Sequence, residues 1–156
     1  MKIKAILTVI LMSGMSTLAL AQTETNNHQK ERENMENSVL VVYQWIAKEG
    51  KAEELKKIYA DVTKMMNKNE PGALEVECFF DESSNTLVVR DLFANAEAVG
   101  FHLGTTAAVH FPSLLEVAVP GPFLFCGEVP EEMKQAALGM GLDAKFAPRQ
   151  FGFVKG

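Results

Sequence analysis

Few side chains in this chain could take part in chemistry, and most of them fall in one stretch. His102 follows Phe101 on a segment whose apolar residues include Val99 and Leu103. It stands at the edge of an apolar stripe, where surroundings can move an imidazole across neutrality. His110 comes after Gly104-Thr105-Thr106, a run that can break a helix, so its direction is left open. Arg90 and Asp91 are neighbours in a strand-like run and therefore point to opposite faces. Asp91 shares its face with Val89 and Phe93, where a carboxylate needs a partner or a raised pKa. Tyr43 and Trp45 share one face of an earlier run and could line an aromatic pocket or form an aromatic core. Such a set is suited to moving a proton and holding a ring. It predicts no metal site, because two histidines lack a third convergent ligand. The chain has no phosphate-cradling glycine loop, paired-cysteine metal signature, HExxH or GxSxG.

The elements that must position these residues follow from periodicity. Residues 39–46 (VLVVYQWI) are rich in β-branched and aromatic types and read as a buried strand. Residues 52–69 carry Leu55, Ile58, Tyr59, Val62, Met65 and Met66 at helical spacing, with Glu53, Lys57, Asp61 and Lys64 on the other face. Glu70-Pro71-Gly72 stops that helix. Residues 73–80 form a second strand with Leu74, Val76, Cys78 and Phe80 on the drier face, and residues 86–93 form a third. Asn95 can cap a helix that runs to His102 or Leu103. After a break at residues 104–106, a second helical piece carries His110 to Val117, with Pro112 near its start. Gly121-Pro122 opens a fourth strand over residues 123–129, and Pro130 with Glu131-Glu132 starts a short helix to about Leu138. Phe146, Phe151 and Phe153 make the tail, residues 145–154, too apolar to hang free. It should pack as an extra strand or a covering segment.

The order β-α-β-β-α-β predicts an α+β, ferredoxin-like fold: one antiparallel sheet with helices on one face. The other face, rich in Val, Leu and Phe, needs a cover, and a second copy placed sheet to sheet predicts a homodimer. In the strand order 4-1-3-2, Cys78 and Cys126 lie roughly 14 Å apart, against a disulfide limit of about 7 Å. Both sit in apolar runs, which predicts two buried, unpaired thiols.

Three segments emerge along the chain. Lys2 and Lys4, the apolar residues 5–12 and Ala19-Leu20-Ala21 predict a signal peptide over residues 1–21, with a mature N-terminus at Gln22. The apolar stretch is shorter than the roughly 20 residues a membrane span needs. No cysteine stands near the cleavage point to carry a lipid anchor. A periplasmic or secreted protein without a membrane span is therefore expected. Residues 22–37 are almost wholly polar and predict a disordered leader. Residues 38–156 predict one domain, with a C-terminal extension from about residue 130. The formal charge of −5 becomes −7 without Lys2 and Lys4, and no basic run overrides it. Nucleic acid is excluded as a partner on that ground.

From Val41 to about Val117 the chain resembles the antibiotic biosynthesis monooxygenase family, whose members are dimeric ferredoxin-like α/β barrels. The resemblance rests on Glu70-Pro71-Gly72 with Leu74 and Glu77, on Asp91 and Phe93 at the end of the third strand, on Glu97-Ala98, and on His102 nine residues after Phe93. Phe93 stands where the family usually has tryptophan, which keeps an apolar wall but removes an N–H donor. The ending, Phe125-Cys126-Gly127-Glu128-Val129-Pro130 with Gly152-Phe153, is similar to a longer-tailed subgroup. The resemblance implies oxidation of a quinol-like or phenolic aromatic by O₂ without metal, flavin or other cofactor. It implies His102 as base or anion partner, Asn95 as hydrogen-bond donor and Arg90 as positive group if it turns inward. Phe93, Asp91, Tyr43, Trp45 and His110 would bind substrate. Haem degradation, found in related proteins, is disfavoured by Phe93 and by the lack of an asparagine on the first strand. The alternative is a non-catalytic module of the same fold that binds a small aromatic molecule.

Overall fold

The computed structural model describes residues 36–152. The predicted signal peptide lies outside the described residues, as do all but the last two residues of the predicted leader. Among the described residues the elements run β1 (Val39–Ala47), α1 (Ala52–Asn69), β2 (Ala73–Asp81), β3 (Thr86–Phe93), α2 (Ala96–His102), a π-helical turn (Leu103–Ala107), α3 (Ala108–Val117), β4 (Ala118–Cys126), α4 (Glu131–Gly139) and β5 (Ala144–Ala147). The strands form one sheet in the order β2-β3-β1-β4-β5. β1 pairs antiparallel with β3 and β4, β2 pairs antiparallel with β3, and β5 joins β4 in parallel. This is the predicted ferredoxin-like α+β fold, with part of the tail as a fifth strand.

Alternation along β1 sends Val39, Val41, Tyr43 and Trp45 into the core, while Leu40, Val42 and Gln44 stay half-buried on the other face. β3 adds Val89 and Phe93 to the core side, and β4 adds Phe123 and Phe125. Leu55, Tyr59, Val62 and Met66 of α1 close over them at the 4, 3, 4 spacing of one helix face. On the outer face Ile46, Phe79 and Leu124 are exposed in the single chain. No described helix is long and apolar enough to cross a membrane.

Several expectations need correction. The helix does not break at residues 104–106. It continues from α2 to α3 through the π turn, in which two side chains take backbone carbonyls: the Thr105 hydroxyl donates to Phe101 O at 2.7 Å, and His110 Nδ1 lies 2.9 Å from Thr106 O. Pro112 consequently sits inside α3 rather than near a helix start. β4 begins at Ala118, five residues before the expected Phe123. Its Pro120 and Pro122 are tolerated because β5 reaches only Phe123–Cys126, which leaves the first half of β4 an edge without a second ladder. The strand ends at Cys126 because Gly127, at φ +134°, turns against Ser38 O and Val39.

β2 meets its expectation only in part, with Val76 and Phe80 half-buried against the core. It is the other edge strand, a bulge at Ala73/Glu75 interrupts its register, and Leu74 and Cys78 are exposed. Both cysteines are free, but Cys78 is exposed and Cys126 half-buried, so neither thiol is buried as expected. Of the tail phenylalanines, Phe146 stacks on Phe125 at 5.2 Å, whereas Phe151, past Pro148, is 94 % exposed. Proline cannot extend the β5 ladder, and the chain leaves the sheet there.

Candidate functional site

A cavity of about 50 Å³ lies between the core face of the sheet and the helices. Tyr43 and Trp45 of β1, Asp91 and Phe93 of β3, Phe123 of β4 and Tyr59 of α1 form its floor and near wall. His102 and His110 come from α2 and α3, and Met140 and Leu142 come from the C-terminal extension. Apart from a few polar atoms the lining is apolar.

His102 is held by a residue far away in sequence. Its Nδ1 lies 3.0 Å from Oε2 and 3.2 Å from Oε1 of Glu70, and both side chains are buried. Glu70 caps the C-terminus of α1, where Pro71 ends the helix and turns the chain. Gly72 then lets α2 close in: a Cβ at this position would stand 2.5 Å from Ala98 Cβ. His102 is four residues after Ala98, one helical turn along the same face of α2, and so meets Glu70. Asn95 starts that helix by accepting from Ala98 N–H at 2.9 Å. Burial holds the His102 ring below its ordinary pKa, and the nearby ring of His110 adds to this, while the Glu70 carboxylate pulls the other way. The ring is then neutral near pH 7. A carboxylate only accepts, so Nδ1 carries the hydrogen and Nε2 the lone pair. The ring also packs on Phe93, with centroids 5.4 Å apart.

The second polar group is Asp91, 1 % exposed. Val41 stands opposite Asp91 in the ladder, so Tyr43 is its diagonal neighbour on the same face. The Tyr43 hydroxyl donates to Asp91 Oδ2 at 2.7 Å. Among the described residues Oδ1 of Asp91 has no hydrogen-bond partner, and neither has the indole N–H of Trp45. Burial pushes the Asp91 carboxyl up to about 7, the Tyr43 bond opposes this, and the charge of Glu70 adds to it. Burial and the Asp91 charge keep the Tyr43 hydroxyl well above its usual range, so it stays a donor.

The structure thus brings His102, Asp91, Phe93, Tyr43, Trp45 and His110 around one cavity. Arg90 and Asn95 are elsewhere. Arg90 lies on the outer sheet face, where Nη1 contacts Glu75 at 2.6 Å and Glu77 at 2.8 Å. Strand alternation from Asp91 makes an inward turn impossible without reversing the whole strand face. The Asn95 side chain is exposed and occupied as the helix cap. Sequence reasoning missed Glu70 and lining residues such as Tyr59, Phe123 and Met140. Glu70 reads as part of a helix stop, and Tyr59 reads as one more core position. Among the described residues, no group of three His, Cys, Asp or Glu side chains is arranged to hold a metal ion.

No protein-family model matches the sequence. No curated protein matches it either. Solved structures do. MupZ from Pseudomonas fluorescens superposes with a TM-score of 0.65 at 18 % identity, over 76 % of this chain and 95 % of that one. A candidate antibiotic biosynthesis monooxygenase from Bacteroides thetaiotaomicron gives 0.52 at 16 %, over 62 % and 91 %. SnoaB, a cofactor-independent oxygenase from Streptomyces nogalater, gives 0.50 at 14 %, over 56 % and 90 %. At these identities the likeness concerns the fold. The described domain therefore shares the ferredoxin-like fold of antibiotic biosynthesis monooxygenase-type proteins.

Proposed function

We propose that this protein is a small-molecule enzyme that oxygenates a phenolic or quinol-like aromatic with O₂ and no bound cofactor, with His102 removing the phenolic proton. The observation that carries the reading is the buried Glu70–His102 pair beside an apolar cavity. Glu70 fixes the tautomer, burial keeps the ring unprotonated, and Nε2 is left as the basic nitrogen. A phenolate formed in a dry site is electron-rich enough to give an electron to oxygen, and the missing water suppresses competing protonation. Phe93 and Tyr43 supply flat surfaces for a ring, the latter already stacked on Phe123 at 4.7 Å.

The cavity is smaller than the roughly 150 Å³ that holds a benzene molecule in an apolar core. Wall side chains must therefore move to admit substrate. Met140, 36 % exposed and unbranched, is the lining residue most open to solvent.

The test is oxygen uptake with a reduced quinone. Glutamine at position 102 keeps a hydrogen-bonding group but is no base near pH 7. His102→Gln should fold normally and lose roughly 10²-fold or more in turnover. Unchanged turnover would make His102 structural. An aromatic ligand bound by the parent without any oxygen uptake would support the rival reading, a non-catalytic binding module.

A further inference from the structure

The cavity has walls of two kinds. Those built by β1, β3 and β4 are fixed by ladder hydrogen bonds. The rod of α2 and α3 is tied to other segments at both ends: Ala94 N–H donates to Gly72 O at 2.9 Å ahead of it, and Lys48 N–H to Val117 O at 2.9 Å at its close. Residues 131–142, which bring Met140 and Leu142 to the cavity, have no such tie. Among the described residues, every hydrogen bond they make stays within residues 130–144. Met133 and Lys134 N–H donate to Pro130 O, Met140 N–H to Ala136 O, Gly141 N–H to Leu138 O, and Ala144 N–H to Leu142 O. The side chains of Gln135 and Lys134 both turn back to Glu131. The first bond to the sheet comes at Asp143, whose carbonyl accepts from Phe123 N–H at 2.9 Å. Lys134 Nζ lies 6.0 Å from the centre of the Phe146 ring, at the limit of a cation–π contact and on β5, the strand that follows this anchor.

A little apolar packing holds the segment down. Ala137 and Leu142 are buried and Met133 is half-buried, while Leu138 and Met140 are exposed. Met133 reaches α2, where a Cβ at Gly100 would stand 3.2 Å from its Cε. Two glycines flank Met140. A Cβ on either would meet nothing within 4 Å, and Gly141 sits at φ +77°, a conformation that glycine takes without strain. A segment with few buried apolar contacts and no hydrogen bond to its surroundings belongs at the low end of a protein's local stability.

We propose that residues 131–142 are the gate of this cavity, swinging outward as one body between the buried Val129 and the anchored Asp143 and withdrawing Met140 as its edge. The motion breaks no hydrogen bond to the rest of the domain and gives up only the packing of Met133, Ala137, Met140 and Leu142. It opens a cavity of about 50 Å³ to a molecule the size of an aromatic ring. The gate stands on the cavity alone and not on His102 as the base.

Trp45 can report the opening, because it is the single tryptophan of the chain, is 1 % exposed and lines the cavity. The measurement is the rate constant for acrylamide quenching of its fluorescence, taken from lifetimes. Met133 does not line the cavity, yet Met133→Ala should raise that constant about threefold or more, because weaker packing of the segment raises the open population. Met140→Ala should raise it as well. Leu55→Ala cuts the core under α1 away from the cavity lining, and should leave the constant at the parent value although it costs stability. An unchanged constant in Met133→Ala overturns the proposal, whatever Met140→Ala does, for the Met140 side chain then moves alone. An equal rise in Leu55→Ala overturns it too, since the whole domain is then loosened. Should Met133→Ala not fold, Met133→Val makes a smaller cut and should move the constant the same way.

Discussion

On the inner side of the sheet the Glu70 side chain meets, among the described residues, a single partner, His102, and both side chains are shut away from water at 2 % and 9 % exposure. On the outer face Glu75 and Glu77 share Arg90, with the acids about half exposed. The distances are similar, near 3 Å in each case, yet the energetics differ because only one set of charges has lost its water. A buried carboxylate depends on its partner, whereas an exposed one falls back on solvent. Neighbouring residues of β3 illustrate the same division: Arg90 faces outward in an ion pair, while Asp91 faces the cavity and stays largely neutral at pH 6.

The largest effect should come from breaking the inner pair. His102→Leu leaves the Glu70 carboxylate buried without a partner and should cost about 3–5 kcal/mol. The melting temperature of a domain this size should fall by on the order of 10–20 °C. A fall of only a degree or two would mean that Glu70 reaches water.

Next comes the pH response of Asp91. Its folded pKa of about 7 lies above its ordinary carboxylate value, so between those pH values the folded chain holds a proton that the unfolded chain has released. Stability from this group is therefore full below about pH 4, is lost as pH rises toward 7, and is level above, a change on the order of a few kcal/mol. His102, held low, works the other way, adding stability as pH rises toward 6.5. Subtracting the urea-unfolding profile of Asp91→Asn from that of the parent isolates the Asp91 slope. Parallel profiles would show that Asp91 is ionised in the fold.

The smallest effect belongs to the outer face. For the single chain, at a dilution where light scattering gives a monomer, Arg90→Leu should cost less than about 1 kcal/mol and leave turnover unchanged. At higher concentration a second copy covering that face would desolvate the three charges, and the cost should then grow with protein concentration. A large cost at every dilution would contradict the solvated reading of this cluster.

Period-two alternation made much of the site legible in advance. It put Tyr43 with Trp45, and Asp91 with Phe93, on common faces, and it separated Arg90 from Asp91. The α1 stripe was equally plain, since Leu55, Tyr59, Val62 and Met66 recur at helical spacing. What stayed hidden depended on contacts between distant segments. A glutamate at a helix end is ordinarily solvated, and only the close approach of Ala98 to Gly72 shows why Glu70 is buried. Gly121-Pro122 read as a strand boundary because sequence does not reveal which half of a strand lacks a neighbour. Phe151 counted as core material by type alone, without regard to the proline that ends the ladder before it.

The π turn between α2 and α3 sets the phase of everything after it. His102 and His110 are eight residues apart, which in a regular helix at about 100° per residue would put their side chains roughly 80° out of line. A π turn absorbs one extra residue, so the two histidines rotate as though about seven residues separated them, within roughly 20° of alignment. Both then line the cavity, as do Phe111 and Leu114 farther along α3. The turn acts as a one-residue vernier between two halves of a single rod. Removing one residue from Leu103–Ala107 would leave a regular helix that keeps the two histidines aligned, whereas straightening the turn with all its residues retained would swing the later half by about 100° and carry His110 off the shared face.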